Sequence, residues 1–536
     1  MRSGRLLAST VVAVAATVLA ACSTVPAPGD GTGPTGDPVR GGTLVYGDVS
    51  PIAWPISGAT RYTNVAVWNS LADTLLTLDA DTYELVPHLA TEWTVNADAT
   101  EYTFTIRQGV TFSDGTPLTA EVVARNFDRW GKGDAELGFA PEAPWAGTYE
   151  SAVGAGDVVT VRLNAPNRHV PRFLTQKTRG IVGDAYLALS RKEQADPRRI
   201  VASGPFVFDS EKPGEEVVLR RRDDYAWPAA NDSNKGAAYL DKVVIKVVGE
   251  LGLRAQALES GQVDVAKGVQ PIDEERLQQA GFVIHANVAV LTAPDYLSLR
   301  PGNPALGDPR VRRALSIGFD RDALVRDALS PSYPAAYSLL PKGDPAYVSY
   351  DKELAYDPDE AKRLLDEAGW RPGADGIREK DGQKLEFSIA GSTQGSGVVP
   401  AAAYLTQQWK QLLGVRLINR TGDDTFFTTA DASSDVGGKI QRSSLEAGLR
   451  TLFGPGNTSS LYDDPYLLER YPADFAAGSP EQVREVVEQL HRHIVLDQTY
   501  AIPLFDATQT TSVSPKVSIT FTGYTAANFH EAWKTD

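Results

Sequence analysis

One cysteine in a chain of 536 residues, and that one at position 22, leaves the whole body without a disulfide. It also excludes zinc sites built from several thiolates. The fold must therefore rest on buried apolar surface. A chain this long exceeds one compact core, so two or three lobes are expected. Hydrophobic residues at 42% and charged residues at 22% suit such lobes in a folded, soluble body. With 52 Lys+Arg against 68 Asp+Glu the formal charge is −16. That argues against a general nucleic-acid binder, whose affinity comes from basic side chains on phosphates.

The segment before the cysteine reads as a targeting device. Arg2 and Arg5 are followed by a charge-free run from Leu6 to Ala21, rich in Ala, Val and Leu. At about 14–16 residues it is short for a membrane span, which needs roughly 20, and has the flanks of a secretory signal. Leu19-Ala20-Ala21-Cys22 resembles a bacterial lipobox, in which cleavage leaves an acylated cysteine as the first residue. Residues 1–21 are thus expected to be a signal peptide and Cys22 a lipid handle. Ser23 to Arg40 is rich in Gly, Pro, Thr and Asp and cannot support a core. Residues 22–40 are read as a flexible tether with a reach of roughly 20–25 Å. The expected location is the outer face of the cytoplasmic membrane, on its periplasmic or cell-wall side, anchored by lipid.

Beyond the tether the pattern is mixed. Gly41 to Gly47 reads as a strand bounded by glycines, and Ala66–Leu76 as a helix. Trp93–Val95 and Tyr102–Ile106 flank the turn-like Asn96-Ala97-Asp98-Ala99 and predict a hairpin. Thr119 opens a helix with Glu121 in its first turn. Further strands are expected at Val158–Leu163, Val217–Arg221 and Val243–Val248. Helices are expected at Leu253–Ser260, Pro309–Ala328, Pro358–Ala368, Ala401–Leu413 and Pro480–Val495. Without strict βαβ alternation or an internal repeat, this is a multi-lobed α/β protein.

Five blocks in order carry a family resemblance: Leu89–Trp130, Ala202–Trp227, Ser260–Ala266, Asp308–Val325 and Tyr356–Trp370. Together they resemble the family-5 extracellular solute-binding proteins, the oligopeptide-, dipeptide- and nickel-binding components of bacterial ABC importers. The resemblance implies a two-lobed periplasmic-binding-protein-like α/β fold, with an extra subdomain in lobe I, hinged around a ligand cleft. By that analogy lobe I comprises 41–75, 202–290 and 506–536, the extra subdomain 76–201, and lobe II 291–505. The implied partners are a small-molecule or short-peptide ligand and an ABC permease. The protein is expected to be a monomer without a cofactor or resident metal.

Positions matching the family's cleft segments are Tyr62, Asn64, Trp145, Arg179, Arg442 and Glu446. Arginine in a cleft takes a carboxylate or phosphate in bidentate fashion, and aromatic walls bury apolar ligand surface. Core packing for each aromatic, and a salt bridge for Arg179, are the competing structural readings. Peptide-binding relatives carry an acidic residue before Pro in lobe II. Here Gly437–Phe453 has no Asp-Pro, and Leu445-Glu446 stands in its place, with Arg442 adding positive charge. That favours a modified peptide or another polar organic solute over a peptide held by its α-amino group. Arg310, Arg312, Arg313 and Arg321 read as solvated or salt-bridged scaffold, and Trp370 as core. His491 and His493, i and i+2 on a helix, read as exposed, diverging residues rather than nickel ligands.

No Gly-x-Ser-x-Gly, His-Glu-x-x-His or Walker-type motif occurs. Gly391–Gly397 and Gly454–Asn457 read as loops. The expectation is a binding protein without enzymatic activity. A tethered ligand sensor without transport shares these features, and a secreted hydrolase built on distant carboxylates is the remaining alternative.

Overall fold

The computed structural model describes residues 33–536, except 55–64, 81, 83, 143–144, 146, 289–293, 301–302, 341, 343–345, 393–396, 423–435, 440–463, 471–479, 507 and 524–525. The sequence-predicted signal, tether cysteine, Tyr62, Asn64, Arg442 and Glu446 lie outside the described residues. Among the described residues no helix is long and apolar enough to cross a membrane.

Along the chain, β1 (Thr43–Asp48) and α1 (Val65–Leu71) precede a run of four strands: β2 (Ala90–Val95), β3 (Glu101–Ile106), β4 (Tyr149–Ala155) and β5 (Val158–Leu163). Helix α2 (Ala120–Lys132) crosses between β3 and β4, its start capped by the Thr119 hydroxyl, which accepts from the Val122 amide. Next come β6 (Phe206–Lys212), β7 (Glu216–Arg221), β8 (Lys242–Val247), α3 (Leu251–Glu259), β9 (Val265–Lys267), α4 (Pro271–Gln279) and β10 (Val283–Val288). The next stretch holds β11 (Asp295–Leu299), α5 (Pro309–Ile317), α6 (Arg321–Ala328), α7 (Pro358–Glu367), β12 (Glu386–Ser392) and α8 (Val398–Gln408). It continues with β13 (Arg416–Gly422), β14 (Val436–Lys439), α9 (Pro480–Arg492) and β15 (Ala501–Phe505). The chain ends with β16 (Thr508–Val513), β17 (Val517–Phe521) and β18 (Ala527–Lys534).

These strands make three principal sheets. A seven-stranded sheet runs β10-β16-β9-β1-β8-β7-β6, a five-stranded sheet β13-β12-β14-β11-β15, and a four-stranded antiparallel sheet β2-β3-β5-β4. Each has its own apolar core. Leu44, Tyr46, Leu219, Val243 and Phe529 pack in the first. Leu299, Phe319, Phe387, Trp409 and Phe505 pack in the second, and Tyr102, Phe104, Phe127, Trp130 and Trp145 in the third. The alternation read at Trp93–Ile106 appears as a hairpin pairing Val95 with Tyr102. Its turn is tied by the Asn96 carboxamide oxygen, which accepts from the Thr100 and Glu101 amides.

Several expectations shift. The run Pro309–Ala328 is two helices, broken at Gly318–Asp320. A Cβ on Gly318 would lie 2.5 Å from a Leu413 methyl, and the Asp320 carboxylate caps α6 by accepting from Ala323 N–H. The first helix ends at Leu71 rather than 76, because Asp73 turns inward to accept from Tyr225 and Trp227. Arg312 and Arg321 are scaffold, as read, but buried. Arg312 donates to the Leu306, Gly307 and Gln498 carbonyls, and Arg321 to those of Ser316, Leu354 and Pro503. His491 and His493 diverge but are not exposed. His491 is fully buried and accepts from Leu339 N–H at 2.9 Å, while His493 Nε2 lies 2.8 Å from Asp464 Oδ2. The side of α9 that carries His491 faces the Leu339–Leu354 segment, whose apolar residues share its core, while His493, one residue past α9, stacks its ring 4.3 Å from that of Tyr466. Trp370 is core, as expected.

Candidate functional site

The register of the sheets locates a site. All described strands of the five-stranded sheet lie between β10 and β16, so in strand order the chain leaves the seven-stranded sheet once and returns once. On the first sheet β10 and β16 pair antiparallel up to Val288 opposite Thr508. On the second, β11 and β15 pair antiparallel, with Asp295 opposite Phe505. The outgoing and returning strands are therefore neighbours on both sides of the crossover, which makes a two-stranded hinge.

From that hinge the direction of every parallel strand follows. In the seven-stranded sheet β9 is antiparallel to β16 and parallel to β1, so the carboxyl ends of β1 and β9 point toward the hinge. In the five-stranded sheet β14 is antiparallel to β11, and β12 runs parallel to both β14 and β13, so their carboxyl ends point toward it too. Ligands of open α/β sheets sit in the crevice beyond such ends, and sites form between lobes. Here two sets of ends converge.

The edge of the first sheet is built by charged groups buried under it. Arg254 donates to the Val248, Gly249 and Gly268 carbonyls at 2.7–2.9 Å, fixing the chain as it leaves β8 and β9. Burial pushes its guanidinium down to about 10, partly offset by Asp48. Asp48, the last residue of β1, is itself pushed up by burial, with Lys267 Nζ 3.9 Å away opposing the shift. Beside the hinge, Glu274 on α4 accepts from the Ser330 and Ser332 hydroxyls at 2.6 and 2.7 Å. The Tyr333 hydroxyl lies 3.2 Å from Thr510 Oγ1 on β16, and Lys342 reaches Asp506 at 3.1 Å. A polar belt thus joins the two halves where they would rotate.

Of the sequence-predicted contacts, two lie among the described residues, and both sit with the four-stranded sheet. Trp145 is wholly buried, its ring 5.7 Å from that of Phe127 and 6.0 Å from that of Tyr149, which leaves no face for a solute in this arrangement. Arg179 is also buried; it closes on Glu142, and its guanidinium carbon lies 5.5 Å from the centre of the Trp130 ring. The neighbouring cavity, lined by Trp68, Trp130 and Glu142, is about 30 Å³, room for water but not for a solute. The hinge belt of Glu274, Ser330, Ser332 and Thr510 was missed by sequence reasoning, because its members are polar residues of no motif and far apart in the chain.

Chemically the region fits binding. The Ser338–His491 contact at 3.4 Å is no nucleophile and base, since the same ring nitrogen accepts from a backbone amide and both side chains are buried. Two sheets joined by a double-strand hinge, with parallel-strand ends converging beside it, define a two-lobed α/β protein of the solute-binding kind.

Comparison with known proteins gives the family. The model described as "Bacterial extracellular solute-binding proteins, family 5 Middle" matches residues 84–459, and the chain belongs to that family, whose members bind solutes rather than catalyse reactions. It is 26% identical over 436 residues to the oligopeptide-binding protein AppA of Bacillus subtilis (strain 168), spanning 78% of this chain and 76% of that one. It is 30% identical over 375 residues to protein XP55 of Streptomyces lividans, spanning 66% of this chain and 63% of that one. Among solved structures, NikA from Brucella suis in complex with Fe(III)-EDTA superposes with a TM-score of 0.78 at 21% identity, covering 92% of this chain and 100% of that one. AppA in complex with a nonapeptide gives 0.74 at 20%, covering 93% and 100%.

Proposed function

We propose that this protein is the lipid-anchored solute receptor of an ABC import system. It captures a peptide-like or other small polar organic solute by hinge closure and passes it to a membrane permease. The observation that carries this reading is the double-strand hinge with strand ends converging on it from both sheets, because that geometry closes over a solute without covalent chemistry. Family membership supports the import role. The bound species named for two relatives, a nonapeptide and a chelated ferric ion, support a cleft that accepts peptides or anionic organic molecules.

The division into lobe I (41–75, 202–290, 506–536), subdomain (76–201) and lobe II (291–505) is supported by sheet membership, since each principal sheet draws its strands from one of these sets. Tyr62 and Asn64 follow β1 in the chain and Arg442 and Glu446 follow β14, so all four leave strands whose ends point to the hinge. We assign them the ligand contacts. For Trp145 and Arg179 the part in binding is an indirect one, holding the subdomain that borders lobe I. The anchor rests on Leu19–Cys22.

Native mass spectrometry of the Cys22→Ala chain, purified without refolding, tests the reading. The expected result is one organic adduct per chain that dissociates on activation. An empty protein whose melting temperature is unmoved by peptide and organic-acid libraries would refute it. The same substitution should move the protein from the membrane to the soluble fraction, and retention on the membrane after signal cleavage would remove the lipid anchor.

A further inference from the structure

Far from the hinge in sequence, one imidazole and two carboxylates meet. His530 on β18 is 4% exposed, and its Nε2–H donates to the Gly236 carbonyl at 2.7 Å. That bond fixes the tautomer, so the lone pair of Nδ1 points away from it. Nδ1 is buried and has no hydrogen-bond partner. What faces it are Asp232 Oδ2 at 3.7 Å and Glu531 Oε1 at 4.0 Å. All three ligand atoms lie within 4.8 Å of one another.

The carboxylates are held in place from behind. Asp232 accepts from the Ala229 amide at 3.1 Å and from Asn528 Nδ2 at 3.4 Å, and Glu531 Oε1 accepts from the Asn234 amide at 2.8 Å. Each oxygen still has a lone pair to offer. Such backbone contacts are the outer support that metal-bound imidazoles and carboxylates have. Asp232 and His530 also line a polar cavity of about 90 Å³, shared with His88 and Asp73, whose Nε2 and Oδ1 are 3.6 Å apart. At about 30 Å³ per water, the cavity has room for a cation with one or two waters.

The two carboxylates favour a positive charge on or beside the ring, and a proton is an imperfect source of it. On Nδ1 it would face oxygens at 3.7 and 4.0 Å, beyond hydrogen-bond reach for both. Donors bound to a tetrahedral cation at 2.0–2.2 Å stand about 3.3–3.6 Å apart, so the two distances from Nδ1, 3.7 and 4.0 Å, would each contract by a few tenths on binding. We propose that Asp232, His530 and Glu531 form a binding site for a divalent transition cation of the zinc class, distinct from the solute cleft. It would staple the 229–236 loop to the carboxyl-terminal strand. Imidazole with two carboxylates and open positions for water suits such a cation.

The test is Zn²⁺ titration of the full chain at neutral pH by calorimetry, after chelator treatment, beside the variants Asp232→Asn and Glu531→Gln. Both keep the shape and the backbone contacts. One equivalent bound in the wild type, weakened at least tenfold in each variant, is expected. With Zn²⁺ in excess the melting temperature should rise in the wild type and stay fixed in the variants. Absence of binding, or binding that neither substitution weakens, overturns the site. So does an imidazole ¹⁵N spectrum in which His530 keeps both ring protons when Zn²⁺ is saturating, because the group would then be an imidazolium.

Discussion

His491 offers a quantitative test of the packing of α9. It is fully buried, its ring centre 4.8 Å from that of Tyr350, and its Nε2 accepts from the Leu339 amide. Protonation would turn that acceptor into a second donor facing an N–H, in a place without water. Burial pushes its pKa from 6.5 down to about 3. Between these values the unfolded chain binds the proton and the folded one does not, so stability is full above about pH 6.5 and lost as pH falls toward 3. The linkage amounts to about 2.5 kcal/mol between pH 7 and about 4.5. Other carboxylates titrate over the same range, so the measurement is a difference between wild type and His491→Gln, whose Oε1 can accept from the same amide but does not titrate. Urea unfolding at the two pH values should show the variant gaining about 2.5 kcal/mol relative to wild type at the acid end. A ring that titrates near 6.5 by NMR, or a wild-type-to-variant difference that stays constant with pH, would refute the reasoning.

Two further perturbations probe the frame of the site. Glu142→Gln leaves Arg179 buried without its counter-charge and is expected to lower stability by about 3 kcal/mol. The double variant with Arg179→Met should recover most of that loss in a urea titration, and no recovery would mean that the pair is not what holds this region. Glu274→Ala removes the acceptor of two serine hydroxyls across the hinge, bonds to a charged group worth about 1.5–3 kcal/mol each in the arrangement that makes them. It should favour separated lobes, read as a larger radius of gyration in solution scattering, and an unchanged radius would show that the belt does not hold them together.

What the sequence could convey depended on the range of the interaction. The Trp93–Ile106 hairpin and the Thr119 cap are local, and period-two alternation with an Asn turn was enough to read them. The need for glycine at 318 was hidden, because the methyl that a side chain there would strike belongs to Leu413, 95 residues away in the chain. The early end of α1 has a similar origin, since Asp73 is drawn inward by Tyr225 and Trp227. The burial of His491 and the half-burial of His493 also escaped, because a polar residue reads as exposed unless its partner, here the Leu339 amide and the Asp464 carboxylate, is known. For the cleft, Trp145 and Arg179 were chosen by their match to the family's cleft segments, and their chemistry suits either a ligand or a core. Packing with Phe127 and pairing with Glu142 came from the fold alone.

The same distinction explains why the blocks that identify the family say so little about the solute. Leu89–Trp130 supplies the core of the four-stranded sheet through Tyr102, Phe104, Phe127 and Trp130. Asp308–Val325 and Tyr356–Trp370 supply that of the five-stranded sheet through Leu315, Phe319, Leu365 and Trp370. These side chains point into lobes and fix where the strand ends lie, whereas a solute meets whatever follows those ends. The strands on either side of the crossover are neighbours in both sheets, Val288 opposite Thr508 in one and Asp295 opposite Phe505 in the other, so the two cores stay separate while the sheets are linked at one place. The blocks that name the fold therefore report the frame and leave the solute unread.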